Sequence, residues 1–193
     1  MVGRTITRAA GGVAAVLTML LSTGCAAATV AGTPVTAAAD PRAAFGAFAR
    51  PAQPTDRLPD HLTISGSSGS TEPDARKVAS WPGTDVFLAF APPDMLCLMV
   101  DTRPGPGATG GVGCGPASTA ADRGMGSVIG AGDSGTLGVV LIPDGATATM
   151  NGGVIVAVGD GVIGVQPDQR SDGIDITLTF ADGHTAHLDL TPR

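Results

Sequence analysis

The chain has no tyrosine, one tryptophan and five phenylalanines among 193 residues. A core of stacked aromatic rings is excluded, so Val, Ile, Leu and Ala must fill the interior. Positive charge is also scarce: Lys77 is the only lysine, and 11 Lys+Arg face 17 Asp+Glu for a net charge of −6. An acidic chain repels phosphate, which excludes nucleic acid as a partner. It offers no basic patch to hold a domain on anionic lipid either. Cysteine is limited to Cys25, Cys97 and Cys114, too few for a zinc cluster. No metal ligand set, cofactor or catalytic residue is expected from the remaining pattern.

Between Arg8 and Asp40 there is no charge at all, and residues 9–21 are apolar or small. A basic start, a short apolar run and a small-residue end make a secretory signal. The run closes on Leu21-Ser22-Thr23-Gly24-Cys25, which resembles the lipobox of bacterial lipoproteins, with Ser22 at the place where a leucine is usual. The resemblance implies cleavage before Cys25 and lipid on its sulfur. Acyl chains partition into a bilayer at ~0.8 kcal/mol per methylene, so several together anchor firmly. The alternatives are an ordinary signal cut after residues 26–28, giving a secreted protein, and an uncleaved span over residues 9–31. The expected address is the cell membrane, lipid-anchored on the extracytoplasmic face.

With Cys25 assigned to lipid, Cys97 and Cys114 are the right number for one disulfide in an oxidising compartment. The glycine-rich stretch between them is long enough to place them on adjacent strands.

Four segments follow from this reading: a signal peptide over 1–24, a flexible tether over 25–40, a helical and loop lead-in over 41–82, and an antiparallel β domain over 83–193. In the lead-in, Asp40-Pro41 reads as the start of a short helix to Arg50. Thr71-Glu72-Pro73-Asp74 reads as the start of a second, ending near Trp81. Strands are expected over 86–91, 95–101, 136–142, 146–150, 154–158, 162–166, 174–180 and 184–190. Asp144-Gly145, Asn151-Gly152 and Asp182-Gly183 punctuate them, because Asx-Gly supplies the positive φ of tight hairpins. The expected class is mainly β: a small antiparallel sandwich, meander or barrel, with one or two short N-terminal helices.

The last hairpin carries its register. A three-residue loop, Ala181-Asp182-Gly183, sets Leu178 against Ala186, Ile176 against Leu188 and Ile174 against Leu190. It also sets Asp175 against Asp189, a like-charge pair.

Residues 50–59, Arg-Pro-Ala-Gln-Pro-Thr-Asp-Arg-Leu-Pro, resemble an "RPAxxxDxLP" segment of uncharacterised secreted proteins of actinobacteria. The order that follows is similar: a short helix, a Cys-bearing strand (Leu96-Cys97-Leu98), a second Cys, then Leu141-Ile142-Pro143-Asp144-Gly145 and closing strands. The family usually has two arginines at the start, whereas Ala49 precedes Arg50 here. Avoidance of lysine and asparagine fits a G+C-rich genome of that kind. The resemblance implies a fold and an address and carries no catalytic residue.

Three motifs imitate chemistry. Residues 159–164 spell G-x-G-x-x-G, but a dinucleotide site needs a helix next and Val165-Gln166-Pro167 is not one. Gly132-Asp133-Ser134-Gly135 resembles the nucleophile segment of trypsin-like proteases, with Thr136 in place of the next glycine and only His61 upstream as a base. His184 and His187 differ by three and point to opposite faces of a strand. The expected role is therefore non-catalytic: a structural or interaction module of the cell envelope with an envelope protein as partner. The alternatives are an extracytoplasmic small-ligand or lipid-binding protein and, after it, a serine hydrolase.

Overall fold

The computed structural model describes residues 30–31, 40–64, 73–102, 110–130, 136–167 and 173–191. Its strands are β1 (Val30–Ala31), β2 (Asp74–Trp81), β3 (Thr84–Ala91), β4 (Met95–Thr102), β5 (Gly110–Pro116), β6 (Met125–Gly130), β7 (Thr136–Leu141), β8 (Thr147–Asn151), β9 (Gly153–Val158), β10 (Val162–Pro167), β11 (Ile174–Thr179) and β12 (Thr185–Leu190). One α-helix, α1 (Ala117–Arg123), lies among them. Among the described residues the strands form three antiparallel sheets, ordered β2-β3-β4-β5, β6-β7-β10-β9 and β1-β8-β11-β12, none of them closed into a barrel.

Alternation along the strands stacks these sheets. On β7, Leu137, Val139 and Leu141 join Val86, Leu88, Leu98 and Val100 of the first sheet in one core. Val140, from the opposite face of β7, joins Ile163, Ile174, Ile176 and Leu178 in a second. The β6–β10 sheet is thus the middle layer, with β7 buried on both faces, which is why residues 137–142 are apolar without a polar alternate. The outer face of the first sheet carries Phe87, Ala89, Cys97 and Met99, and Leu58, Leu62 and Ile64 of the lead-in cover it.

The closing hairpin has the register read from the sequence. Ile174, Ile176 and Leu178 stand opposite Leu190, Leu188 and Ala186, and Asp175 stands opposite Asp189. Gly183 has φ +87°, the left-handed conformation the three-residue loop requires.

Two expectations for the lead-in change. The helix ending at Trp81 is instead β2, paired to β3 from Asp74↔Phe90 to Trp81↔Thr84, so sheet structure starts at Asp74 rather than at residue 83. A helix this short is marginal alone, and pairing to a buried strand overrides its start signal. The pairing shifts between Lys77 and Ala79, leaving Val78 as a bulge. That bulge gives Ala75, Val78 and Ala79 a helix-like spacing within a strand. The helix expected over 41–50 is two short 3-10 turns, Pro41–Ala44 and Gly46–Ala49, hinged at an extended Phe45. Asp40 caps the first turn and Pro41 opens it, as expected. Phe45 and Ala47 are buried, and Phe48 meets Phe90 edge to face at 4.7 Å. Cys25 lies outside the described residues.

Candidate functional site

The segment over 50–59 is built around one buried carboxylate. Pro54 fixes the backbone at the start of a 3-10 turn, Pro54–Asp56, which turns Asp56 inward. Asp56 Oδ2 accepts from Arg50 Nη1 at 2.7 Å and from the Gln53 N–H at 2.7 Å. Oδ1 accepts from Arg50 Nη2 at 2.8 Å and from the Lys77 N–H at 2.8 Å. Arg50 Nη2 also donates to the Lys77 carbonyl at 3.1 Å. The arginine and aspartate of the motif therefore bind both edge-facing groups of Lys77, beside the bulge of β2. The paired guanidinium and the two backbone donors hold the Asp56 carboxyl well below the usual carboxylate range, against the opposing effect of burial. This is an edge clamp, and it gives the motif a structural meaning.

A second pair lies on the other side of the lead-in. Asp101, fully buried at the end of β4, faces His61 Nε2 at 3.1 Å. Asp101 is also the cross-strand neighbour of Asp85, which Lys77 Nζ and Ser80 Oγ hold at 2.8 and 2.7 Å. A buried carboxylate orienting an exposed imidazole is two thirds of a hydrolase triad. The candidate nucleophile Ser134 lies outside the described residues. What the pair does here is join the segment carrying Leu62 and Ile64 to β4.

A surface cleft of about 270 Å³ opens where the N-terminal turns, α1, the β7–β8 connection and the β11–β12 hairpin loop meet, and Asp40, Asp122, Asp144 and Asp182 line it with His184. His184 Nδ1–H donates to Asp182 Oδ1 at 2.6 Å, and Nε2–H donates to the Asp122 carbonyl at 3.1 Å. Both partners are acceptors, so the ring makes both bonds only as an imidazolium. Its pKa is raised, first by the Asp122 carbonyl and then by Asp182. It stacks on Phe180 with centroids 4.0 Å apart. Asp144 shifts the other way from a paired carboxylate: burial raises it, and Asp160 adds to the effect. Among the described residues no group of three His, Cys, Asp or Glu side chains is arranged to hold a metal ion. His187, exposed on β12, meets the Thr177 hydroxyl instead.

Cys97 and Cys114 are direct cross-strand neighbours on β4 and β5 and are joined as a disulfide. The G-x-G-x-x-G stretch is the β9–β10 hairpin, closed by the Gly159 N–H to the Val162 carbonyl at 2.8 Å, with strand rather than helix after it. Among the described residues no helix is long and apolar enough to cross a membrane.

The sequence reading passed over one surface feature. Val154, Val156 and Val158 alternate outward along β9 and are 54%, 47% and 59% exposed. The signal was present, because Val154-Ile155-Val156-Ala157-Val158 has no polar residue to turn toward water. His61 with Asp101 had no local signal, since forty residues separate them. No family model, curated protein or solved structure matches the chain.

Proposed function

We propose that the chain is a cell-envelope lipoprotein, anchored through lipid on Cys25, whose β domain has a non-catalytic structural or interaction role. The disulfide occupies the other two cysteines, leaving Cys25 behind its apolar run as the one thiol for acylation. The observation that carries the interaction role is the valine row of β9. Three large apolar side chains, each about half exposed, stand in line on an acidic protein. Contiguous exposed apolar surface marks a contact site more often than scattered residues do. Photo-crosslinking on intact cells tests this role. A photoreactive side chain at position 154 gives a discrete adduct, while one at Thr179 on the far sheet gives none. Absence of any adduct from β9 contradicts the role.

One feature favours a second reading, an extracytoplasmic small-ligand protein. An open hollow of about 770 Å³ lies between residues 52–58 and 73–76, within the ~300–1,000 Å³ of ligand sites. Arg57, Arg76, Asp56 and Asp74 line it, which suits a small polar molecule better than an acyl chain. Native mass spectrometry of protein extracted from the envelope decides: a retained small molecule supports this reading, and a bare chain refutes it.

A further inference from the structure

We infer that the hollow between residues 52–58 and 73–76 takes a small organic acid, whose carboxylate meets Arg57 and Nη2 of Arg76 and whose apolar body lies along Pro54, Leu58 and Pro73. This deepens the small-ligand reading and rests on it. Arg76 is the built part of the site. Its side chain is only 8% exposed. Nε donates to the Arg50 carbonyl at 3.3 Å, and Nη1 donates to the Ala75 carbonyl at 2.7 Å and to Asp74 Oδ1. Cζ lies 5.3 Å from the centre of the Phe48 ring. The guanidinium is therefore fixed, while Nη2 makes no hydrogen bond among the described residues. Trp81 Nε1 is the only side-chain polar atom among them that is sealed from water without a partner, so Nη2 is open to the hollow that Arg76 lines. A donor already held in place loses little freedom when a ligand binds it.

Arg57 supplies the second cation. The turn that sends Asp56 inward leaves Arg57 exposed on the rim of the hollow. Among the described residues its side chain has no ion pair or hydrogen bond. The two carboxylates of the lining are already engaged elsewhere. Asp56 takes its four donors from Arg50, Gln53 and Lys77, and Asp74 is held by Arg76 and, at 2.7 Å, by Arg42. The charged lining groups and their partners are thus four guanidinium groups, Arg42, Arg50, Arg57 and Arg76, against two carboxylates. This corner is positive on a chain of net charge −6, so it draws in an anion that the rest of the surface repels. The same field favours one negative charge over several. A guanidinium edge matches the two oxygens of a carboxylate. Ala52, Pro54, Leu58, Pro73 and Ala75 line the remainder, and they cover an apolar body beside the charge.

Backbone amide shifts of the purified full chain, with Cys25→Ser removing the unpaired thiol, test the inference against three probes: phenylacetate, its uncharged amide and inorganic phosphate. Phenylacetate is expected to shift residues 55–58 and 75–77 saturably, and phenylacetamide to leave them in place. Arg57→Gln, at an exposed side chain that the fold does not use, weakens phenylacetate at least about tenfold through the loss of a charged hydrogen bond. Arg123→Gln, at the exposed end of α1, leaves it unchanged. No saturable shift with phenylacetate overturns the inference, as does equal binding of the amide or indifference to Arg57→Gln. Tighter binding of phosphate than of phenylacetate overturns the choice of a carboxylate. If protein extracted from the envelope retains an uncharged molecule while phenylacetate is inert, the organic acid is overturned and the small-ligand reading stands. If the extracted protein is bare and phenylacetate is inert, both fall.

Discussion

Asp56 accepts four hydrogen bonds of 2.7–2.8 Å while only 3% of it remains exposed. Asp56→Asn keeps one acceptor oxygen and turns the other into an NH2 donor, so two of the four donors lose their acceptor and the Arg50 guanidinium loses its counter-charge. Asp56→Asn should therefore lower stability by ~2–3 kcal/mol, a value discounted for the partly exposed Arg50. Chemical denaturation at neutral pH measures it. The pH dependence has a definite sign. A carboxyl whose native pKa is depressed contributes in full above its unfolded value, ~3.9, and loses that contribution as pH falls through the native value. The gap between wild type and Asp56→Asn should thus be flat from neutral to about pH 4 and shrink below it. A gap independent of pH into strong acid would contradict the clamp.

His184 has the opposite sign. Its native pKa is raised, so its contribution is full below the unfolded value of ~6.5 and is lost as pH rises through the native value. Its bond to the Asp122 carbonyl joins the β11–β12 loop to the end of α1, and its bond to Asp182 lies within that loop. The melting temperature of wild type should exceed that of His184→Gln in mild acid and converge with it in mild alkali. Nitrogen shifts of the ring followed through a pH titration should show both nitrogens keeping their protons to a higher pH than in a free imidazole. A ring that titrates no higher than a free imidazole would refute the assignment.

At the scale of elements, β4 and β5 are joined by Cys97 and Cys114, 17 residues apart in sequence. In the chain-entropy model a loop of that size stabilises by ~3 kcal/mol. Cys97→Ser should lower the unfolding midpoint by a corresponding amount, and a reducing agent should do the same to wild type. Free thiols at both positions in protein isolated from the envelope would contradict the bridge.

Strands with local turn chemistry were legible in the sequence. The β11–β12 hairpin could be read to the residue pair, because a strictly alternating apolar face and an Asp-Gly turn leave one register that brings the apolar faces of both strands together. Elements defined by distant neighbours were not. β2 borrows its strand state from β3, and its bulge disguises the alternation. β5 is Gly-Gly-Val-Gly-Cys-Gly-Pro, which has almost no side-chain pattern and pairs because β4 offers an edge. α1 had a usable signal, the alanine-rich run ended by Gly124 at φ +69°. In the candidate sites, the arginine and aspartate of the 50–59 segment could be picked out by resemblance. Their purpose could not, because it depends on the edge of a strand 21 residues away.

At the scale of the whole molecule, three stacked sheets explain how a domain with so few aromatics holds together. Its middle sheet is apolar on both faces, so two cores share one layer. The lead-in closes the outer face with Leu58, Leu62 and Ile64 and is fixed by Asp56 and by His61 with Asp101. Acidic residues gather at the cleft around His184, and β9 carries the exposed valine row. Under the proposed function the domain works outside the cytoplasm, with Cys97 and Cys114 joined and Cys25 as the anchor. The most direct test is the intact mass of the protein extracted from membranes of its own cells. The account predicts a mature chain beginning at Cys25 and carrying diacylglycerol on that residue. A soluble product whose first residue lies beyond Cys25, or a chain retaining residues 1–24, would contradict it.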